Sequence, residues 1–490
     1  MQLHALLRLL DAQIRLADVP NVPITGVCED SRKVAAGNLF IARRGTQSSG
    51  VEFITDAQLR GAAAVVSETA ISECALPQVI VADAARATSL LANYFHGKPS
   101  RAMRCLAITG TNGKTTTTYL LRHLLAKARE RCGLVGTVEI DDGRARREAE
   151  MTTPSACDVA AMLAAMRDNG CSAAAIEASS HALEQSRLAG VQFAGAAFTN
   201  LTGDHLDYHK TMDAYAAAKA KLFESLDAEA TAVINDDDSW SNRMIENCPS
   251  RIVRFGFGPR AHYRAGKVQI TAQGSRFELI APGGRADVQM KLIGKHNIEN
   301  ALAATALAAE VCGVSINQIA AALGDAGGAP GRLEAVELGQ PFAVLVDYAH
   351  TDDALENVLS ALRPLAKGKL RVLFGCGGDR DPHKRPRMAK VSERYGDAIY
   401  VTSDNPRTED PMKIIEQIVP GFSKSQGKPV VIEADRRAAI ERIIADARPG
   451  DVVLIAGKGH ENYQVVGTQK HHFDDLEEAR RVIQGLAAAA

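Results

Sequence analysis

No stretch of this sequence approaches the roughly 18 consecutive apolar residues that a membrane-crossing helix needs, so no membrane insertion is expected. Charge of one sign is also missing. With 57 basic and 58 acidic residues the net charge is −1, which argues against a nucleic-acid or membrane-surface binder. The nine cysteines are scattered and odd in number, and no C-x-x-C pair occurs. A disulfide framework or zinc site is therefore not expected, and reduced, mostly buried thiols in a cytoplasmic protein are. The N-terminus, MQLHALLRLLDAQ, lacks a basic region leading into a long apolar core, and Arg8, Asp11 and Arg15 interrupt it. It reads as an amphipathic helix, not a signal peptide. What remains is an ordinary globular composition, 46% hydrophobic and 23% charged, in a chain long enough for about three domains.

The most informative stretch is GTNGKTTTT, residues 110–118. An apolar run over 105–109 leads in and a helix-compatible run over 115–128 leads out. Strand, glycine turn, then Lys-Thr opening a helix cradles nucleotide phosphates: backbone N–H groups face the anion and glycine lets the backbone come close. Gly110, Thr111, Asn112, Gly113 and Thr116 belong to this cradle, Lys114 neutralises phosphate charge, and the Thr115 hydroxyl helps hold Mg²⁺. The usual loop is G-x-x-x-x-G-K-[ST]; here Gly110 and Gly113 are only three apart. The spacing marks a variant, and the general pattern licenses neither kinase nor GTPase.

Residues 1–85 read as a small α/β unit with strands near 38–42, 63–67 and 78–82. A helical run over 84–95 follows. Residues 86–329 alternate apolar β-type runs with alanine-rich helical stretches, as a parallel sheet with covering helices would. Residues 324–331, dense in glycine and proline, form the clearest linker, and 330–490 alternate strand and helix again. Several expected strands end in a polar cluster: Glu177 with Ser179-Ser180-His181, Asp204-His205 with Asp207, Asn235 to Asp238, Asp347 to His350, Gly375 to Asp381, Ser403 to Arg407, and Gly457 to Glu461. Open α/β sheets bind ligands outside the carboxyl ends of their strands, so these clusters converge on one cleft. Turn chemistry accounts for some of the Asn, Asp and Gly but not for the repeated His, Glu and Arg.

Mg²⁺ wants oxygen ligands, which Glu177 and Thr115 supply; His205 is a softer partner. Asn297 and Asn300 open a long alanine-rich helix, where Asn297 suits an N-cap, a nucleotide contact, or both. Lys219 is, by pattern alone, a lysine on an amphipathic helix. Arg380 and Arg407 can fork onto carboxylates while Glu461 takes an ammonium, which together suit a zwitterionic ligand. The pair His471-His472 reads as structural, because adjacent strand residues face opposite sides.

Taken together, GTNGKTT (110–116), EASSH (177–181), FTNL (198–201), DHLDYH (204–209), NDDD (235–238), GKHNIEN (294–300), GR (331–332) and DYAH (347–350) closely resemble the Mur ligase family of peptidoglycan precursor synthesis, over essentially the whole chain. Within it, DSR (30–32), GCGGDRD (375–381), DNPR (404–407) and GKGHE (457–461) resemble the members that add the third peptide residue, and DNPR is the form in those that add meso-diaminopimelate. The resemblance implies three α/β domains: 1–85 holding the UDP end of the substrate, a central P-loop-type ATPase with a mostly parallel sheet over 86–329, and a Rossmann-like amino-acid domain over 330–490. It implies ATP and Mg²⁺ as cofactors, UDP-MurNAc-L-Ala-D-Glu and meso-diaminopimelate as substrates, and a cytoplasmic monomer. Glu29, Ser31, Thr46, Gln47 and Ser48 would contact the UDP end. Met151, Thr152, Thr153, Ser179, Gln185 and Arg187 would hold the muramoyl-dipeptide. Asn297, Asn300, Arg332, Asp347 and His350 would contact nucleotide. Arg380, Asp404, Asn405, Pro406, Arg407, Gly457 and Glu461 would bind the incoming amino acid. Lys219 matches the family lysine that is carbamylated, which makes it a metal-positioning anion beside Thr115, Glu177 and His205. Lys114, Lys219, Glu177 and His205 would carry the chemistry, in which the D-glutamate carboxylate attacks the γ-phosphate and the resulting acyl phosphate is taken by the amine. The alternatives are a related amide ligase, such as folylpolyglutamate synthase or another member of the Mur family, and a nucleotide-dependent switch without bond-forming activity.

Overall fold

A computed structural model of the chain describes residues 1–8, 10, 16–45, 48–72, 74–271, 273–423 and 427–489. Its first sheet holds β1 (Gly26–Cys28), β2 (Asn38–Ile41), β3 (Ala64–Ser67) and β4 (Gln78–Ile80), all parallel and in chain order. The expected N-terminal helix spans Leu3–Leu7; residues 11–15 lie outside the described residues. The helix Ala84–Phe95 forms where the sequence expects it, started by the Asp83 side chain accepting the Arg86 N–H. It buries Ala84, Ala87 and Leu91 against Leu39, Ile41 and Val66 of the first sheet. From its other side Ser89 Oγ donates to the Arg187 carbonyl at 3.0 Å, which ties this unit to the next.

The central sheet has eleven strands: β5 (Arg104–Thr109), β6 (Cys132–Val135), β7 (Glu139–Asp141), β8 (Arg146–Glu148), β9 (Ala173–Glu177), β10 (Phe193–Phe198), β11 (Thr231–Asn235), β12 (Arg251–Gly256), β13 (Tyr263–Thr271), β14 (Gly274–Ala281) and β15 (Gly284–Met290). Their order is β15-β14-β13-β12-β11-β10-β5-β9-β6-β7-β8. The run from β13 to β6 is wholly parallel, and antiparallel strands extend both edges. Parallel strands buried on both faces read as near-continuous apolar runs, and β5 shows why: Leu106 and Ile108 face one core, Cys105 and Ala107 the other. Helices Lys114–Lys127 and Lys295–Cys312 cover the first face, Ala156–Asp168 and Met212–Glu224 the second. The chain leaves β5 toward β6 and returns to its other side at β10, so a switch point and its crevice lie at the carboxyl end of β5.

Residues 325–333 carry no helix or strand, in keeping with a linker. The third sheet holds β16 (Glu334–Ala335), β17 (Ala343–Asp347), β18 (Leu370–Phe374), β19 (Ala398–Val401), β20 (Val430–Ile432) and β21 (Val452–Ala456), in the order β16-β17-β21-β18-β19-β20. All neighbours are parallel except β16 and β17. A separate hairpin, β22 (Tyr463–Val466) and β23 (Gln469–His472), follows. His471 and His472 sit exposed on it, with His472 Nε2 paired to Glu477 at 2.7 Å, as a structural pair would.

Candidate active site

The phosphate loop is shaped by two glycines. Gly110 has φ +150, and a Cβ there would fall 1.9 Å from Thr199 Oγ1; Gly113 has φ +86, and its Cβ would fall 2.2 Å from Asn300 Oδ1. Both left-handed conformations and both close approaches require glycine. The segment after β10 holds the loop in place. The Asn112 N–H donates to Asn200 Oδ1 at 2.9 Å, the Thr111 N–H to the Asn200 carbonyl at 2.8 Å, and Thr199 Oγ1 to the Asn112 carbonyl at 2.6 Å. Lys114 Nζ turns back to the carbonyls of Gly110 (2.8 Å) and Thr111 (2.9 Å). Burial lowers its pKa, opposed by the carboxylates of Glu177 and Asp204.

Lys219 meets it from the other side. The helix Met212–Glu224 carries Lys219 inward, 1% exposed, with Nζ donating to the same Gly110 carbonyl at 2.9 Å and lying 4.6 Å from the Tyr215 ring centre. Burial, and then the charge of Lys114, holds this amine well below the ordinary lysine range. The lysine on an amphipathic helix that the pattern showed is thus one the fold buries. His205 has φ +54 and pairs with Asp204, Nε2 to Oδ2 3.5 Å. Partial burial, opposed by Asp204 and reinforced by Lys114, lowers the His205 imidazole to about 4. Asp204 therefore joins the site as the carboxylate facing Lys114, Lys219 and His205.

Glu177 ends β9 fully buried. Its carboxylate accepts the Thr115 hydroxyl at 3.0 Å, the Thr137 N–H at 3.0 Å and the Thr137 hydroxyl at 2.9 Å. The Thr137 hydroxyl also meets Thr152 Oγ1 at 3.0 Å. Thr153 Oγ1 donates to the Glu177 carbonyl at 2.6 Å and lies 3.1 Å from Ser179 Oγ. Arg187 donates to the Thr153 carbonyl at 2.7 Å and to Gln185 Oε1 at 2.8 Å, with Met151 Sδ at 4.0 Å. One continuous wall thus runs from the phosphate loop through Thr152, Thr153 and Ser179 to Gln185 and Arg187. It continues into the N-terminal unit, where Glu29 accepts Arg43 Nε at 2.6 Å and the Cys157 N–H at 3.3 Å. Ser31 is buried at the start of a short 3₁₀ turn, and the Ser48 carbonyl accepts the Gly45 N–H at 2.9 Å. Thr46 and Gln47 lie outside the described residues.

Asn297 is not an N-cap. Gly294, φ +104, takes that position, and Asn297 sits in the first turn, its Nδ2 donating to the Ile293 carbonyl at 2.8 Å. Its Oδ1 accepts Asn300 Nδ2 at 3.2 Å, and Asn300 Oδ1 accepts Thr117 Oγ1 at 3.3 Å, so the pair backs the phosphate-loop helix. Arg332 reaches toward the same loop, 3.5 Å from Thr115 Oγ1, with its guanidinium 4.6 Å from the Tyr348 ring centre. Asp347 instead serves its own domain: its two oxygens accept the N–H groups of Leu333 and Ala349, both at 2.7 Å, while burial raises its pKa. His350 donates from Nδ1 to the Tyr348 carbonyl at 2.8 Å, and burial lowers it to about 4.

The carboxyl ends of β18, β19 and β21 form the second half of the cleft. Arg407 has φ +51; its N–H donates to the Val465 carbonyl at 3.0 Å and its guanidinium to the Gly378 carbonyl at 2.8 Å. A Cβ on Gly377 would fall 2.9 Å from that guanidinium and 3.8 Å from the stem of the exposed Arg380, which brings the two arginines to one loop. Asn405 Nδ2 donates to Glu461 Oε2 at 2.8 Å. Lys458, wholly buried, lies 3.4 Å from Glu461 and 3.8 Å from Asp404, and its Nζ donates to Asn405 Oδ1 at 3.3 Å. Burial, and then Asp404, raises the Glu461 pKa. Pro406 is buried between these groups, and Gly457 donates its N–H to the Asp347 carbonyl at 3.0 Å. Beneath both loops Arg436 and Asp475, each fully buried, form a fork-to-fork pair. Arg436 also donates to the carbonyls of Ser403 (3.3 Å) and Ala456 (3.0 Å).

Sequence reasoning left Thr137, Lys458, Arg436 and Asp475 without a role. Lys458 stood inside a singled-out cluster, so its place was a usable signal; nothing in residue type or spacing marks Thr137, Arg436 or Asp475. No three His, Cys, Asp or Glu side chains gather as a metal cage among the described residues. The oxygens of Glu177 and the Thr115 hydroxyl are nevertheless the hard donors that suit Mg²⁺, which usually takes only one or two protein ligands beside water and phosphate.

Fold and site together define a class: a three-part α/β protein whose central phosphate loop opens on a cleft shared with a charged C-terminal sheet. The chain belongs to the Mur ligase family. Residues 23–96 match the Mur ligase family catalytic domain, 108–308 the Mur ligase middle domain, and 331–459 the Mur ligase glutamate ligase domain. The UDP-N-acetylmuramoyl-L-alanyl-D-glutamate–2,6-diaminopimelate ligase of Bacillus cereus is 41% identical, with 99% of each chain covered. That of Geobacillus kaustophilus is 44% identical over 95% of this chain and 96% of its own. A solved structure of a ligase with the same name superposes with a TM-score of 0.68 at 35% identity, covering 95% of this chain and 96% of that one. Folylpolyglutamate synthase from Mycobacterium tuberculosis, at 19% identity and a TM-score of 0.62 over 75% of this chain and 91% of its own, shares the fold.

Proposed function

We propose that this chain is an ATP-dependent, ADP-forming ligase. It joins meso-diaminopimelate to the D-glutamate side-chain carboxylate of UDP-MurNAc-L-Ala-D-Glu, a step of peptidoglycan precursor synthesis. The observation that carries this reading is the C-terminal pocket, where Arg407 is held on the Gly378 carbonyl at 2.8 Å and shares its loop with Asp404 and with Asn405, which donates to Glu461 at 2.8 Å. A guanidinium fork beside two carboxylates suits a ligand with a carboxylate and an ammonium at one end. Lysine lacks that second carboxylate. The names of the Bacillus cereus and Geobacillus kaustophilus relatives point the same way.

In this reading residues 1–85 hold the UDP end through Glu29, Ser31 and Thr46 to Ser48. Residues 86–329 bind ATP, and 330–490 bind the incoming amino acid through Arg380, Asp404 to Arg407, Gly457 and Glu461. The wall of Met151, Thr152, Thr153, Ser179, Gln185 and Arg187 holds the dipeptide so that its carboxylate meets the γ-phosphate. Two anions approach there, so Lys114 must cancel charge as it develops. Where bound, Mg²⁺ would be held by Thr115 and Glu177, with His205 and a Lys219 carbamate as further partners, and would neutralise the transferring phosphoryl group. Asn297, Asn300, Arg332 and His350 complete the nucleotide pocket, with Asp347 fixing the loop that carries His350. Carboxylate is a poor acyl donor because oxide leaves badly; phosphorylation corrects this, and closure of the cleft keeps water from the acyl phosphate. Carbamylation needs a neutral amine, and burial, which lowers the pKa of Lys219, eases its deprotonation. The reading places the enzyme in the cytoplasm as a monomer, where its nine free cysteines stay reduced.

The test is ADP release with both UDP-MurNAc-L-Ala-D-Glu and meso-diaminopimelate present, and none when either is left out. Equal turnover with lysine would remove the specificity. Lys219→Ala should lose about a hundredfold in turnover, partly restored by added short carboxylic acids; no restoration would leave the carbamate without support.

A further inference from the structure

The helix Asp352–Leu362 follows β17 and is capped by Thr351, with Asp352 and Asp353 in its first turn. Acidic residues there ordinarily answer the helix dipole. Asp352 fits that account and pairs with Arg387, 2.9 Å away in the same domain. Asp353 does something else. Its Oδ2 crosses to the central domain, where it accepts Asn112 Nδ2 at 2.7 Å and Thr202 Oγ1 at 2.8 Å. Asn357 Nδ2, one turn along the same helix, adds a weaker bond at 3.3 Å.

Both donors belong to the phosphate loop or are tied to it. Asn112 is the loop's third residue, and its backbone is held on both sides by Thr199 and Asn200. Thr202 exchanges bonds with Thr111: its N–H donates to Thr111 Oγ1 at 3.0 Å, and its carbonyl accepts that hydroxyl at 3.2 Å. One carboxylate of the C-terminal domain thus reads the conformation of two adjacent loop residues. Hydrogen bonds to a charged group are worth more than neutral ones and are directional.

From this juxtaposition we propose that Asp353 is a positioning residue that couples docking of the C-terminal domain to the phosphate-loop conformation. The domain that presents the amine is held over the loop while the acyl phosphate exists. The proposal rests on the ligase reading above. Its consequence is a partition. When the domain is held, the amine attacks the acyl carbon, the bond from that carbon to the phosphate oxygen breaks, and amide and phosphate leave. When it is not, water attacks instead, regenerating the carboxylate and phosphate, and ATP is consumed without amide.

The experiment counts ADP and amide in the same reactions of the full chain with ATP, Mg²⁺, UDP-MurNAc-L-Ala-D-Glu and meso-diaminopimelate. Asp353→Ala should raise the diaminopimelate KM about tenfold and the ADP-to-amide ratio about threefold or more, with the ATP KM changed less than about twofold. Asp353→Asn keeps an acceptor oxygen and should recover part of both. Thr202→Val removes one donor and should shift the ratio in the same direction, and added to Asp353→Ala it should change nothing further. A wild-type ratio and KM in Asp353→Ala would overturn the proposal, as would effects of Asp353→Ala and Thr202→Val that simply multiply. Should Asp353→Ala fail to fold, Thr202→Val decides alone by the same ratio. Failure of the ligase reading looks different: the unaltered chain would then release no ADP in the presence of both substrates.

Discussion

The phosphate loop and the C-terminal pocket solve the problem of binding charge in opposite ways. The loop uses backbone: two glycines at φ +150 and +86 and a lysine folded onto main-chain carbonyls. It is almost contiguous in sequence. The C-terminal pocket uses side chains from the ends of three strands, and it is braced from beneath by buried charge. Lys458 stands among Asp404, Asn405 and Glu461, and the Arg436–Asp475 pair ties the loops after β19 and β21 together. A phosphate has the same shape in every nucleotide, so a fixed backbone nest suffices. In the ligase reading the other pocket must tell one amino acid from its neighbours, and that takes directional charges whose own positions are enforced by other charges.

This contrast can be broken in four places. The largest effect is expected at the loop, where Lys114→Ala should reduce ADP formation about a thousandfold or more; a loss under about tenfold in steady-state turnover would show that the backbone nest alone suffices. Next is the brace. Arg436→Ala leaves Asp475 buried without its partner, at about 3–5 kcal/mol of stability, read from urea unfolding. A loss below about 1 kcal/mol would mean that water or a neighbour replaces the fork. Third, Arg407→Ala should raise the diaminopimelate KM about ten- to a hundredfold with ATP KM unchanged, which separates the two regions kinetically; equal changes in both constants would merge them.

The smallest effect concerns both regions at once. Burial lowers His296 and His350 from 6.5 to about 4 and His460 from 6.5 to about 3. In that window the unfolded chain binds more protons than the folded one, so stability falls as pH drops below 6.5 and is unaffected by these groups above it. Thermal unfolding midpoints between pH 7 and 5 should therefore decline toward acid. His350→Gln should flatten that decline slightly; an unchanged slope would remove His350 from the account.

How far the sequence reached differs between elements in a physical way. The strand β21 falls on Val452–Ala456 and the helix Ala84–Phe95 on its expected span, because an apolar β-branched run and an Asp-capped amphipathic run are local signals. The polar clusters do lie past the carboxyl ends of their strands, since strand polarity in a parallel sheet fixes which end is the cleft. The N-cap reading of Asn297 failed because Gly294 at φ +104 starts the helix one turn earlier. Lys219 was invisible as chemistry until a family likeness was brought to bear: its meaning depends on burial against Gly110 and Lys114, about a hundred residues away. Nothing in the sequence marked Asp353, for the same reason.

By itself the sequence determined the phosphate loop, since two glycines, a lysine and a threonine carry their conformation and charge within one turn. It also determined the direction in which the polar clusters face. The tertiary structure alone decided which charges support which: the fork between Arg436 and Asp475, the amine of Lys219 beside that of Lys114, and the reach of Asp353 to Asn112 and Thr202. A charge acquires its pKa and its partner from distance and desolvation, and those exist only once segments far apart in the chain have packed.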